Sequence, residues 1–351
     1  RSTQPNTLFP YTTLFRSVHR VAAVGATDAD DADGGGGRLV AHLEDRTPAV
    51  ALRDSTAMAP ASTSTTPDLS GKVAIVTGAN SGLGLETSVA LASMGATLVM
   101  ACRDAGRGEA ALAEVRARSG SDRVELGSLD LGSLASVRGF ADAFLRRHDR
   151  LDVLVNNAGL TLDDRRETAD GFEMTFGVNH LGHFLLTDLL RPRLVESAPA
   201  RVVVVASLAH RFALRGLDRG DLQAERRYRG FSVYGRSKLA NVLFARELAR
   251  RLEGTGVVVN AVHPGSINSN FAGDGDTGLM GWAIARFGRF VLTSPEKGAR
   301  TQVLLASSTE PRVVGATGGY WSHGRRWRPS RKARDASEAA WLWDVSEKLI
   351  A

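Results

Sequence analysis

The chain has 351 residues, of which 43% are hydrophobic, and its formal net charge at pH 7 is +6. Such a chain can bury one large core or two smaller ones, and its single cysteine, Cys102, excludes an internal disulfide and is typical of a reducing compartment. No stretch approaches the roughly 20 apolar residues that a transmembrane helix needs. The one dense basic run, between Arg325 and Arg334, is interpreted as a solvated surface. These features predict a cytoplasmic protein without a nucleic-acid partner.

The first 57 residues differ in character from the rest of the chain. Thr7–Ser17 resembles the conceptual translation of a sequencing adapter, and an aspartate-rich patch and four consecutive glycines follow it. Because this region has no apolar period, residues 1–57 are predicted to be an artefactual or disordered extension. We expect Met58 to be the true start, with a polar lead-in over residues 58–68 and one domain over residues 69–351.

From residue 72 onward, short apolar runs alternate with longer amphipathic segments. The apolar runs predict strands at Val73–Val76, Leu98–Ala101, Val124–Leu126, Leu151–Val155, Val202–Val205, Val257–Val259 and Gly319–Trp321. The intervening segments predict helices near residues 82–94, 105–118, 134–147, 170–194 and 233–253. This alternation predicts a single α/β domain, in which a doubly wound parallel sheet of about seven strands carries helices on both faces. Ligands of such sheets bind beyond the carboxyl ends of the strands.

A glycine-rich turn follows the first strand and opens the first helix. Its residues are Thr77, Gly78, Ala79, Asn80, Ser81, Gly82, Leu83 and Gly84. Glycines allow a tight turn and the close approach of a pyrophosphate, which then meets the unpaired N–H groups at the start of the helix. The spacing differs from the usual Gly-x-Gly-x-x-Gly pattern, and a lone glycine cluster is also compatible with a purely structural turn. Its position between a strand and a helix favours a dinucleotide site.

The end of the second strand indicates which dinucleotide binds. A site for NAD usually offers a carboxylate about 20 residues after the glycine turn, whereas Cys102 and Arg103 occupy that place here. A planar, permanently charged guanidinium suits a 2′-phosphate, so Arg103 favours NADP(H). NAD(H) stays open as an alternative, because Arg103 can also pair with Asp104, and because Ser81 stands where a second basic residue would have strengthened the preference.

Tyr234 and Lys238 are four residues apart in a predicted helix, so their side chains lie on one face. An adjacent ammonium favours the phenolate, and we therefore expect a lowered pKa for Tyr234 and an acid/base role near neutral pH. This spacing is common in helices by itself. It gains weight from the glycine turn, from Ser207 at the end of the fifth predicted strand and from the Asn156–Gly159 segment after the fourth.

Taken together, these motifs resemble the short-chain dehydrogenase/reductase family, from about Leu69 to the C-terminus. The matching motifs, in family order, are the glycine turn, Asn156–Gly159, Asn179, Ser207, Tyr234-x-x-x-Lys238 and Pro264–Gly265. Finer matches resemble the branch of retinol dehydrogenases and their bacterial relatives, and these are Ala101–Asp104, Val178–Phe184, Ser237–Asn241 and Leu342–Ser346. The resemblance implies a Rossmann-type fold and an NAD(P)-dependent oxidoreductase that acts on alcohols or carbonyls.

The resemblance also implies a role for each matching residue. Tyr234 exchanges a proton with the substrate oxygen, Lys238 lowers the pKa of Tyr234 and holds the nicotinamide ribose, and Ser207 hydrogen-bonds the same oxygen. Asn179 anchors a water that links Lys238 to solvent. Cofactor contacts are implied for Asp130, Leu131, Asn157, Ala158, Gly159, Pro264, Gly265 and Ile267. Each residue also has a structural interpretation, such as a strand-end cap for Ser207 or an ordinary helix polar group for Asn179.

Three further features of the sequence concern metal binding, the substrate and the oligomeric state. His180 and His183 are three residues apart on a predicted helix, but no third ligand is evident, so packing is favoured and no metal is predicted. Residues 266–292 are predicted to form a substrate lid, whose apolar content suits a lipophilic retinoid, aldehyde or ketone, with a core or dimer contact as an equal alternative. The helices near 170–194 and 233–253 are the predicted faces of a possible homodimer.

Other functions stay open from the sequence alone. One alternative is a sensor that binds NADP(H) without catalysis, although such a protein has no physical need for an acid/base pair. Another is a light-driven protochlorophyllide reductase, which shares much of the motif set but typically has several cysteines, whereas this chain has one. Polyanion binding through the basic run at Arg325–Arg334 is the least favoured interpretation.

Overall fold

The structure is a computed structural model that describes residues 66–265 and 294–351. The predicted N-terminal extension, most of the polar lead-in, the predicted lid and Ile267 lie outside the described residues. The strands are β1 (Val73–Thr77), β2 (Thr97–Cys102), β3 (Val124–Ser128), β4 (Val153–Asn156), β5 (Ala200–Val205), β6 (Val257–His263), β7 (Gly319–Ser322) and β8 (Arg325–Trp327). The first three helices are α1 (Gly82–Ser93), α2 (Ala105–Ser119) and α3 (Leu134–Arg147).

The fourth helix, α4, has three consecutive parts, which are an α-helical turn (Met174–Phe176), a π-helical segment (Gly177–Leu181) and a regular α-helix (Gly182–Glu196). The later helices are α5 (Gly230–Arg251), α6 (Pro295–Ser307), α7 (Pro311–Val314) and α8 (Ala336–Ile350). Short 3₁₀ turns follow β5 and β8, at Leu208–Phe212 and Lys332–Arg334.

The strands form one sheet in the order β3-β2-β1-β4-β5-β6-β7-β8. The strands from β1 to β7 pair in parallel, which confirms the predicted architecture, and β8 pairs antiparallel with β7. The sequence did not reveal β8, because its Arg-Arg-Trp composition contains no apolar run and all three residues are exposed. The chain proceeds outward from β1 on one side and returns through β4 on the other. The topological switch point, where ligands of such sheets bind, therefore lies at the carboxyl ends of β1 and β4.

The sheet is buried on both faces, and all five residues of β1 are buried. Ile75 faces a core formed with α3, α4, α5 and α8, in which Phe184 and Trp343 pack edge to face. Ala74 and Val76 face the opposite core, which is formed with α1, α2 and α6. Because this alternation buries the strand on both sides, β1 is held firmly, and the turn that follows it has a fixed starting point.

Candidate active site

A cavity of about 450 Å³ lies at the carboxyl edge of the sheet, over the switch point. Its walls come from the ends of β1, β2, β4, β5 and β6 and from α5. The predicted site residues that line it are Gly78, Asn80, Ser81, Gly82, Leu83, Gly84, Arg103, Asp130, Leu131, Asn157, Ala158, Gly159, Ser207, Tyr234, Lys238, Pro264 and Gly265. Thr77 and Asn179 are fully buried behind this lining. Sequence positions far apart in the chain thus meet in one cavity.

Tyr234 and Ser207 meet on the wall of this cavity. Ser207 lies two residues after the end of β5 and caps the 3₁₀ turn at Leu208–Phe212, with its Oγ accepting the Ala209 N–H at 3.2 Å. Tyr234 lies in the first turns of α5, and its hydroxyl shares a hydrogen bond with the hydroxyl of Ser207. Two hydroxyl groups in contact can both reach one substrate oxygen, as proton transfer and charge stabilisation require.

Lys238 lies one helical turn beyond Tyr234 and is almost wholly buried. Its Nζ donates to the carbonyl oxygen of Val205 at 3.2 Å and lies 5.6 Å from the centre of the Tyr234 ring. Burial lowers the pKa of Lys238 to about 8. A predominantly charged ammonium at pH 7 therefore stands beside the phenol, on the same helix face, as the spacing of the two residues predicted.

The pKa of Tyr234 moves opposite to the sequence-based expectation. Burial raises it to about 12, and the hydrogen bond with Ser207 offsets this only in part. The expectation of a lowered value was wrong because it counted the neighbouring charge of Lys238 and not the desolvation of the phenol. At neutral pH Tyr234 is therefore a protonated hydroxyl, which is the form that donates a proton.

Asn179 lies within the π-helical segment of α4, and its side-chain amide hydrogen-bonds the loop after β4. Its Oδ1 accepts the Leu160 N–H at 2.8 Å, and its Nδ2 donates to the Leu160 carbonyl at 2.9 Å and to the Ser237 Oγ at 3.0 Å. These bonds join the loop after β4 to α4 and α5. The structure thus places Asn179 beside α5, the helix that carries Tyr234. The amide of Asn179 holds the backbone of Leu160 in place. π-Helical segments are frequent at functional sites.

The glycine turn after β1 has the shape of a cradle for a phosphate group. Gly78 has φ +63°, in the left-handed region, and α1 begins at Gly82 without a side-chain cap. A β-carbon at Gly84 would overlap the Gly78 carbonyl oxygen and approach Asn157 Nδ2 to 2.7 Å. Only glycine fits there. The first residues of α1 line the cavity, and Ser81 at the N-cap makes no side-chain hydrogen bond to the first N–H groups of the helix. These residues fit a dinucleotide, whose pyrophosphate they would hold at the helix N-terminus.

Thr77 supports this cradle from behind and does not line it. Its Oγ1 accepts the backbone N–H groups of Asn157 at 2.9 Å and Ala158 at 3.0 Å, and it lies 2.9 Å from Nε2 of His183. Asn157 in turn donates from Nδ2 to the Thr77 carbonyl at 2.8 Å. The hydroxyl of Thr77 thus joins β1 to the loop after β4, and the prediction of Thr77 as a cofactor contact stays a prediction.

The other end of the cavity is lined by Arg103, Asp130 and Leu131. Arg103 is exposed there. Asp104, which the sequence offered as a partner for Arg103, caps α2. Its carboxylate accepts the Arg107 N–H at 2.8 Å and lies 3.8 Å from the Arg107 guanidinium. Asp130 accepts the Gly132 N–H at 2.9 Å, which fixes the loop after β3. Arg107 also lines the cavity and was missed, although its place one turn into the helix after Arg103 was readable from the sequence.

The two histidines of α4 have packing and bridging roles. His180 lies among aromatic rings and bonds Ser346 Oγ at 2.8 Å, and His183 bonds Thr77. Burial lowers the pKa of both to about 3, so both are neutral. Among the described residues, no group of three or more His, Cys, Asp or Glu side chains is arranged to hold a metal ion.

Sequence reasoning missed further residues of the cavity wall. They come from the loop after β4, from α4 and from the last residue of β6, and they are Leu160, Thr161, Leu162, Arg166, Met174, Val178 and His263. His263 stands immediately before Pro264–Gly265, and that position was a usable signal. The long loop gives no signal, because its path is set by tertiary contacts such as those of Asn179. Within residues 66–265 and 294–351, no helix combines the length and apolar character needed to cross a membrane.

Comparisons with known proteins agree with this geometry. Residues 72–219 and 220–277 match the short chain dehydrogenase family. Retinol dehydrogenase 12 of Homo sapiens is 47% identical over 285 residues, which cover 80% of this chain and 87% of the relative. A crystal structure from Mycobacterium paratuberculosis is 38% identical, with a TM-score of 0.64, and the match covers 81% of this chain and 95% of that one.

The Pseudomonas aeruginosa RhlG/NADP active-site complex is 26% identical, with a TM-score of 0.57, and the match covers 76% of this chain and 98% of that one. The family match spans more than half of the chain, and it agrees with a cradle that fits a nicotinamide dinucleotide. The chain therefore belongs to the short chain dehydrogenase family, with retinol dehydrogenases among its relatives, and is a dehydrogenase/reductase that acts on CH–OH groups.

Proposed function

We propose that this protein is an NADP(H)-dependent oxidoreductase that interconverts lipophilic alcohols with their aldehydes or ketones. The observation that carries the proposal is the hydrogen bond between the hydroxyls of Tyr234 and Ser207, on the wall of a dinucleotide-sized cavity and beside the ammonium of Lys238. A binding protein without catalysis has no physical need for this arrangement, which favours an enzyme over a sensor.

The proposed chemistry assigns one task to each side chain. The nicotinamide, when bound, supplies or accepts the hydride. Tyr234 holds its proton at neutral pH because burial raises the pKa of its phenol to about 12, so it is ready to protonate the oxygen of a carbonyl that is being reduced. Ser207 donates to the same oxygen and stabilises the charge that develops there. Lys238 favours the tyrosinate that remains, because its charge is close and desolvated.

The preference for NADP(H) rests on the basic groups at the end of β2. Arg103 and Arg107 both line the cavity where an adenosine ribose would lie. Neither Cys102 nor Arg103 supplies the carboxylate that a site for NAD usually offers. Two guanidinium groups favour a 2′-phosphate through charge and hydrogen bonding. The solved complex of the Pseudomonas aeruginosa relative contains NADP, which agrees with this preference.

A lipophilic substrate is supported by exposed apolar side chains that are close to the catalytic pair in the sequence. Phe212 ends the 3₁₀ turn that Ser207 begins, and Phe231 precedes Tyr234 by three residues in α5. The two rings are 41% and 46% exposed, and their centres are 5.3 Å apart. Leu214 nearby is 81% exposed. Exposed apolar surface of this kind often marks a binding site, and relatives named retinol dehydrogenase agree with an oily substrate.

The decisive experiment measures NADPH consumption with a panel of short aliphatic, long aliphatic, aromatic and retinoid aldehydes. We expect turnover that favours the long and retinoid members and falls by about 100-fold or more in Tyr234→Phe. Tyr228→Phe is the matched control, since Tyr228 is a half-buried phenol outside the catalytic pair, and it should retain turnover. Stoichiometric NADPH binding without turnover of any carbonyl would contradict the proposal and favour a sensor. Undiminished turnover in Tyr234→Phe would remove the assigned proton donor.

A further inference from the structure

The peptide group that joins Ser207 to Leu208 is held at both of its polar ends by histidine rings. Its carbonyl oxygen accepts a hydrogen bond from His210 Nδ1 at 2.6 Å, and its N–H, on Leu208, donates to His263 Nδ1 at 3.3 Å. His210 belongs to the same 3₁₀ turn, whereas His263 ends β6. The two rings therefore hydrogen-bond the same peptide group, one from the 3₁₀ turn and the other from β6.

The partners of the two rings determine which nitrogen carries the proton. A carbonyl oxygen can only accept, so His210 must be protonated at Nδ1. The other nitrogen of His210, Nε2, receives the Ser330 N–H at 3.2 Å and must be unprotonated. His263 Nδ1 faces an N–H donor, so His263 must carry its proton at Nε2. Each ring is thus neutral, and the two rings are opposite tautomers.

The environment of both histidines agrees with neutral rings. His210 is fully buried and packs edge-on against Tyr320, with ring centres 4.9 Å apart, and His263 is 7% exposed. Burial lowers the pKa of each to about 4, and Arg211 disfavours a positive charge on either ring. A protonated His263 would turn a second donor toward the Leu208 N–H. The hydrogen bonds therefore depend on the neutral forms that burial enforces.

From this geometry we propose that His210 and His263 are positioning residues that set the place of the Ser207 hydroxyl opposite Tyr234. Rotation of the Ser207–Leu208 peptide would carry the Ser207 side chain away from the Tyr234 hydroxyl. The two rings oppose that rotation from both sides. His210 also ties the peptide to Ser330, and Arg211 donates to the Arg328 carbonyl at 2.6 Å, so the chain beyond β8 braces the catalytic serine.

This proposal rests on the proposed role of Ser207, and its first test needs no turnover. In protein labelled with ¹⁵N-histidine, long-range ¹H–¹⁵N spectra at pH 7 report the tautomer of each ring. We expect His210 to be protonated at Nδ1 and His263 at Nε2, with assignments made from single substitutions to asparagine. The reverse tautomer at either residue, or a charged ring, would overturn the proposal even if the enzyme is active. If both tautomers are as expected but the protein has no turnover, the result contradicts the catalytic role of Ser207 and not the hydrogen bonds of the two histidines.

The second test asks whether the histidines act through Ser207. His210→Leu should lower kcat by about 10- to 100-fold, as expected when a catalytic group is misplaced, and leave the Kd for NADPH within about twofold. His210→Asn should recover most of kcat, because its amide can donate from the position of Nδ1, whereas His210→Gln should not. His263→Asn should recover activity relative to His263→Leu in the same way, through its amide oxygen.

A double-mutant cycle separates positioning from a general structural effect. In the Ser207→Ala background, His210→Leu should cause little further loss of kcat, because the group that it positions is already absent. If the fold-losses of kcat from Ser207→Ala and His210→Leu multiply in the double variant, the proposal is overturned. Tyr320→Phe is the matched control, since it keeps the packing against His210 and removes a hydroxyl without a hydrogen-bond partner among the described residues. It should leave kcat unchanged. If His210→Leu does not fold, the cycle is run with His210→Gln, which carries the same expectation.

Discussion

Gly159 lies against the amino group of Lys238, so that a β-carbon at residue 159 would stand 3.1 Å from Lys238 Nζ. The same β-carbon would stand 3.2 Å from Asn179 Oδ1. Both distances are shorter than an ordinary van der Waals contact, so a side chain at this position must displace one of two groups that organise the site. The packing of Lys238 and Asn179 therefore favours glycine at the position after Asn157 and Ala158.

Gly159→Ala should lower kcat by about three- to tenfold, because a shift of a few tenths of an ångström in Lys238 perturbs the electrostatics of Tyr234. Steady-state kinetics and thermal unfolding are the measurements. Gly139→Ala is the matched control, because Gly139 lies within α3 and a β-carbon there meets nothing within 4 Å. This change should leave kcat unaltered and stabilise the protein by about 0.5–1 kcal/mol. Unchanged kcat in Gly159→Ala would show that the packing at residue 159 is not required for catalysis.

The buried ammonium of Lys238 should make stability depend on pH above neutrality. Burial lowers its pKa to about 8 in the folded protein, from 10.5 in the unfolded chain. Between these values the unfolded chain binds the extra proton, so the free energy of unfolding rises with pH in this window. Relative to Lys238→Met, wild type should gain about 2 kcal/mol between pH 7.5 and pH 10.

Urea denaturation at the two pH values measures this gain. The matched control is Lys297→Met, at an exposed lysine of α6. Its free energy of unfolding should follow that of wild type from pH 7.5 to pH 10. A constant difference between wild type and Lys238→Met over the same range would mean that Lys238 is not desolvated in the folded protein.

Tyr234 should resist ionisation in the protein without cofactor. Burial raises the pKa of its phenol to about 12, above the 10.0 of a free tyrosine, so the folded protein keeps this proton at pH 10.5 where an exposed tyrosine is mostly ionised. The measurement is the phenolate absorbance of wild type minus that of Tyr234→Phe, titrated from pH 8 to pH 11. We expect almost no signal below pH 10.5. A midpoint below pH 10 would instead support the sequence-based expectation that Lys238 dominates the pKa of Tyr234.

This last comparison marks the limit of what the sequence predicts. The alternation of apolar runs predicted seven parallel strands, and the spacing of Tyr234 and Lys238 placed both on one helix face, because period and spacing are local properties. The direction of the Tyr234 pKa could not be predicted, since it depends on how deeply the tertiary structure buries the phenol. The family motif identified Thr77 without its role, because its partners Asn157 and His183 come from other elements.

The π-helical segment of α4 was beyond prediction for the same reason. A regular helix near residues 170–194 was expected, and Gly177–Leu181 departs from it where Asn179 reaches the loop after β4. Nothing in the local sequence specifies that contact. The roles of His210 and His263 could not be predicted either. No local pattern marks these histidines, and only the tertiary fold brings both rings to the Ser207–Leu208 peptide.

Arg103 should determine which of the two nicotinamide dinucleotides binds more tightly. If Arg103 recognises the 2′-phosphate, Arg103→Ala should raise the Kd for NADPH by about tenfold or more and leave the Kd for NADH nearly unchanged, because only NADPH carries the group that the guanidinium contacts. Fluorescence titration at fixed ionic strength measures both constants. Arg123→Ala is the control for net charge, because Arg123 is an exposed arginine that bonds the Gly95 carbonyl and does not line the cavity. An equal loss for both nucleotides would assign Arg103 to a part of the cofactor that NADPH and NADH share. If neither Kd changes, Arg107 becomes the basic group to test, since it lines the same end of the cavity one helical turn further on.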